Sequence, residues 1–118
     1  MRQAQKFPWW WETATHCWRT YFAMERDGVD NWDNLPESNK KIYALCNHLF
    51  LHRFVKTDQN ILKMFFTRHW GDGLFAVQDY SKSTGISTSA IWIVIRRACR
   101  IVMEEMGLLE KRGAGKNE

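Results

Sequence analysis

LFAVQDYSKSTGISTSAIWIVIRRACRIVMEEM, residues 74–106, has the pattern of a helix-turn-helix. A short first helix is expected over about Phe75 to Thr84, with Gly85-Ile86-Ser87 as the turn and a long second helix after Ser87. Gly85 suits the turn because a residue without Cβ reaches positive φ freely. Tyr80 before the turn and Ile86, Ile91 and Val94 after it recur at spacings that let the two helices pack across each other. Ser87 or Thr88 can cap the open N–H groups of the second helix. Its first turn then presents the short polar side chains Thr88 and Ser89 where this motif meets base edges. Arg96, Arg97 and Arg100 follow where long cationic stems reach phosphates, with Ser87 and Lys82 beside them on the DNA side.

Three positions depart from the pattern. Thr84 stands where an apolar residue is usual and fills the place through its methyl group. More seriously, Trp92 and Ile93 occupy positions that a recognition helix shows to the groove, and the run Ala90 to Ile95 is apolar on every side. Either another helix or subunit covers the far face, or the two helices are only the core of a small bundle.

At 118 residues the chain holds one small domain. Lys and Arg outnumber Asp and Glu by 17 to 13, a formal charge of +4, which leans toward an anionic partner. The distribution says more: residues 1–37 carry net −2, residues 38–70 net +5, residues 71–89 net −1 and residues 90–118 net +2. A nucleic-acid face should therefore draw on the middle third as well as on the arginines after Ala90. Seven Trp and seven Phe are many for this length. Aromatic side chains serve cores and interfaces alike, so self-association is expected, with Trp9, Trp10, Trp92 and Ile93 as the contact residues. Cys17, Cys46 and Cys99 are widely spaced and odd in number, which fits three free thiols in a reducing, cytoplasmic setting. No apolar run approaches the roughly eighteen residues of a membrane span, so no membrane partner is expected.

Taken in order, residues 1–7 are expected to be a flexible basic arm, and residues 8–109 a single all-α domain of four or five helices. Pro8 is placed to open the first helix, which runs to about Arg26 with Trp11, Ala14, Trp18, Tyr21 and Phe22 on one face. A polar linker around Trp32 follows. The second helix spans about Pro36 or Ser38 to Arg53, with Ile42, Leu45, Cys46, Leu49 and Phe50 inward. Thr57 is the expected N-cap of a third helix, Asp58 to about Trp70, with Ile61, Leu62, Phe65 and Phe66 inward. Gly71-Asp72-Gly73 is a break before the two-helix motif. Gly107 closes the last helix, Leu108 and Leu109 fold back as a latch, and residues 110–118 form a disordered tail.

Little points to catalysis. His48 and His52 stand four apart on one helix, but no CxxC or HExxH pattern supplies further metal ligands. Gly71-Asp72-Gly73 lacks the GKS/T of a phosphate loop, and no strand-to-helix elbow frames a nucleophile. The expectation is a protein without enzymatic activity, metal or cofactor.

DQNILKMFF, the Gly-Asp-Gly break and VQDYSKSTGISTSAIWIVIRRACRIVMEEM together resemble the fourth region of bacterial sigma factors. They are similar, more particularly, to small phage late-gene regulators that use such a module, the ArpU/RinA group and the short Q-type antitermination proteins. The resemblance spans roughly residues 36–106. It implies double-stranded DNA as partner, and RNA polymerase or its sigma factor as a second one. It also implies base reading by Ser87, Thr88, Ser89 and Trp92, backbone contacts by Arg96 and Arg97, and motif packing by Tyr80, Ile86, Ile91 and Val94. The function expected is a DNA-binding transcription regulator of phage or prophage type, an activator or an antiterminator. The alternative is an oligomeric phage assembly or packaging adaptor, which the apolar Trp92-Ile93 pair favours.

Overall fold

A computed structural model of the chain describes residues 7–28, 32–67 and 73–111. It is an all-α bundle of five helices: α1 Trp11–Asp27, α2 Glu37–Arg53, α3 Lys56–Phe66, α4 Gly73–Thr84 and α5 Thr88–Glu105, with a 3-10 turn at Trp32–Asn34 and no strand among the described residues. Of the expected arm 1–7 only Phe7 is described, of the break Gly71-Asp72-Gly73 only Gly73, which opens α4, and of the tail 110–118 only Glu110 and Lys111; the rest of each lies outside the described residues, as do residues 68–70, where the third helix was expected to end.

α1 and α2 form an antiparallel pair. Tyr21 Oη donates to Asn47 Oδ1 at 2.8 Å, and the Tyr43 hydroxyl donates to the Glu25 carboxylate one turn further on. α1 starts at Trp11, three residues later than Pro8, because the chain first makes a turn in which Trp11 N–H donates to the Pro8 carbonyl at 3.0 Å. That turn brings Trp10 into the core, where it is buried. Trp10 is thus core within one chain, not the outward contact residue that the sequence led us to expect.

The α2–α3 corner is tight, with only Phe54 and Val55 between the helices. Helix C-termini leave carbonyls without intrahelical partners. Here Gln59 Nε2 donates to the carbonyls of Phe50 at 2.9 Å and Phe54 at 3.0 Å, and Arg97 Nη2 donates to that of Arg53 at 2.9 Å. With those groups satisfied from α3 and α5, α3 begins at Lys56 and Val55 holds the N-cap position with no side-chain hydrogen bond. Thr57 therefore lies inside the first turn, not at the cap.

An aromatic cluster fills the space above this corner. Trp18 stacks on Phe22 and Phe66 and meets Tyr21 and Phe54 edge-on, all with ring centroids 6.1–6.2 Å apart. Its indole N–H donates to the Ala98 carbonyl at 2.9 Å, which ties α1 to the middle of α5. Much of the aromatic content thus finds its place within a single chain.

α5 packs against each of the other four helices, closing a three-helix unit with α3 and α4. Ile91, Ile95, Ala98, Cys99, Val102 and Met103 are fully buried along it, which accounts for the broad apolar run. At its entrance Gly85 has φ +82, Thr84 Oγ1 accepts from Ile86 N–H at 3.2 Å, and Ser87 Oγ accepts from Ala90 N–H at 3.1 Å. At its exit Gly107 (φ +79) donates to the Glu104 carbonyl and Leu108 N–H to that of Met103, both at 3.0 Å, a Schellman arrangement. Leu109 packs on the core while Leu108 stays exposed, so one leucine of the expected latch closes it.

Candidate nucleic-acid interface

A helix turns 100° per residue, so positions three and four apart share a face. On α5 the outward face carries Ser89, Ile93, Arg96 and Arg100; the first three are exposed and Arg100 is half-buried. Thr88 is exposed at the start of the helix and Lys82 on α4. Ser87 is exposed too, but its hydroxyl accepts the capping bond from Ala90. Ile93 keeps 66% of its surface in solvent.

Trp92 does not join this face. It is half-buried, edge-on to Phe65 at 5.5 Å between centroids, and 6.4 Å from Phe7, which in turn stacks on Trp11 at 4.3 Å. One residue of offset from Ile93 carries the indole round the helix toward α3, where it gains aromatic contacts. The residue expected to read bases or face a partner is thus drawn partly into the fold, off the outward stripe. Of the four residues expected at an interface, Trp9 (76% exposed) and Ile93 are the outward ones.

The arginines differ more than their spacing implies. Arg53, Arg96, Arg97 and Arg100 surround a concavity of about 510 Å³ with Ile93, Ile101 and Glu104 in its wall. Arg97 is occupied within the fold: besides donating to the Arg53 carbonyl, its guanidinium lies 4.9 Å from the Phe54 ring centre and 3.6 Å from Asp58 Oδ2. Arg100 Nε donates to Glu104 Oε2 at 2.8 Å. Arg53 Nη1 stands 3.9 Å from Glu105 Oε2, an oxygen that Lys111 Nζ approaches more closely, at 3.2 Å. Arg96 makes no ion pair among the described residues. Sequence reasoning missed Arg53. The available signal was a cation closing α2 inside the net-positive middle third.

The three thiols lie apart from this surface, inside the fold. Cys17, Cys46 and Cys99 are free and buried, and burial pushes each thiol above its ordinary range, so all three are protonated at neutral pH. The His48 and His52 rings lie 4.7 Å apart on α2. No group of three His, Cys, Asp or Glu among the described residues is placed to hold a metal ion, and no described helix is long and apolar enough to cross a membrane. Comparison with protein-family models, with curated proteins and with solved structures finds no match for this chain.

Proposed function

We propose that the protein binds double-stranded DNA through α5, lying in the major groove, and acts as a transcription regulator. The observation that carries this reading is the outward stripe Ser89, Ile93, Arg96 and Arg100 on a helix whose opposite face is fully buried. From Ser89 to Arg100 the stripe extends about 16 Å, at about 1.5 Å per residue. A major groove is about 12 Å wide, so the N-terminal half of the stripe meets base edges while its cationic end emerges at the phosphates. Thr88 and Ser89 are short and polar where the helix enters deepest. The regulatory role, with RNA polymerase or its sigma factor as a second partner, rests on the resemblance noted in the sequence.

A protein-assembly role, with a second copy of the chain as partner, is the competing reading; the exposed Trp9 and Ile93 favour it. Selection from a pool of randomised duplexes, followed by titration against the selected and random duplexes at two salt concentrations, separates the two. The DNA reading expects selected duplex to stay bound in an excess of random duplex. Arg96→Ala should weaken binding to both and lower the salt slope by about 0.9, the value for one phosphate contact. Failure to enrich any sequence, together with concentration-dependent association of the protein alone, favours assembly.

A further inference from the structure

We infer that the concavity between α2 and α5 is a phosphodiester site whose working ligands are Arg53 and Arg96, with Arg97 serving the fold instead. The inference rests on the DNA reading above and assigns within it a contact from α2, a helix outside the helix-turn-helix.

Four guanidinium groups and one carboxylate, Glu104, line this concavity, so an anion is the fitting occupant. The four are not equivalent. Arg100 is neutralised by Glu104 at 2.8 Å. Arg97 has three partners: Asp58, the Phe54 ring and the Arg53 carbonyl, which its planar fork joins from one position. Releasing it to a phosphate breaks the corner that sets α2 against α3. Arg53 has a single carboxylate contact, long at 3.9 Å, with an oxygen already held by Lys111. Arg96 is exposed. Arg53 and Arg96 therefore keep their donors for a ligand, one on each helix. Ile93 and Ile101 supply apolar wall between them. A backbone phosphate that leaves the α5 stripe at this concavity finds both of them in its wall.

The test compares Arg53→Ala, Arg96→Ala and Arg97→Ala, each read by duplex affinity over a salt series and by melting temperature. Arg53→Ala leaves the residue 53 carbonyl in place for Arg97. It should keep the melting temperature, weaken selected and random duplex by the same factor, and lower the salt slope by about 0.9. Arg97→Ala should lower the melting temperature and, below it, leave the slope unchanged. Arg97→Lys, which keeps the charge but loses the fork, should melt early as well. An unchanged slope for Arg53→Ala while Arg96→Ala lowers it overturns the site and leaves the DNA reading standing. So does a lowered slope for Arg97→Ala at an unchanged melting temperature. Absence of duplex binding by the wild-type protein overturns both.

Discussion

Ile93 keeps most of its surface in solvent while its neighbours Trp92 and Val94 are half-buried. If the stripe faces DNA as proposed, a large aliphatic group between Ser89 and Arg96 has one natural counterpart in a major groove, the thymine 5-methyl. Deoxyuridine in place of one thymine of the selected duplex should weaken wild-type binding by about 0.8 kcal/mol, the value of a buried methyl or methylene group. The same replacement should leave Ile93→Ala indifferent. A wild-type protein that tolerates uracil at every thymine contradicts the assignment. Periodicity alone could not separate Ile93 from Trp92, because both fell on positions that a recognition helix exposes. What parts them is Phe65 on α3 and Phe7, rings far away in sequence that take Trp92 in. Arg96 and Arg97 show the same limit. They look equivalent in sequence, yet one residue's rotation turns Arg97 to Asp58 and Phe54.

At the scale of the element, the α4–α5 turn was legible because its determinants are local. Gly85, the Ser87 cap and the closing Gly107 act on backbone within a few residues of themselves, and each stands where the pattern asks. Gly85→Ala meets no atom within 4 Å, so its cost is conformational, about 1–2 kcal/mol for an L-residue at positive φ. Ser87→Ala should cost about 0.5–2 kcal/mol through the lost bond to Ala90. Urea midpoints check both; a neutral Gly85→Ala would show that the turn is not held in this conformation. The start of α3 was not legible. Its position depends on Gln59 and Arg97 satisfying the end of α2, and the second of these comes from 44 residues away.

Over the whole molecule, the all-α class followed from helical apolar stripes on α1, α2 and α3, which the bundle buries in large part. The aromatic excess misled because a small core was expected to have too little room. Stacked and edge-on packing about Trp18 places many of those rings inside one chain, while Trp9, Phe75 and Ile93 are among the large apolar side chains left outward, the argument for association that remains. The three buried thiols make stability depend on alkaline pH. Each is raised by burial above the ordinary thiol value of 9.0, so between that value and the folded one only the unfolded chain releases its proton. Stability should be level below about pH 8 and fall above about pH 9, by up to about 1.4 kcal/mol per pH unit for each thiol. Urea midpoints at about pH 7.5 and about pH 10 test it, and an unchanged midpoint contradicts it. Burial of the native thiols also permits selective labelling of an introduced one. Ser89→Cys carrying a DNA-cleaving iron chelate reports directly on where α5 lies, with Ala44→Cys, exposed on α2, as the control. The account predicts cuts from residue 89 confined to a few base pairs within the selected site and none from residue 44; equal or absent cutting from both on fully bound duplex would contradict it.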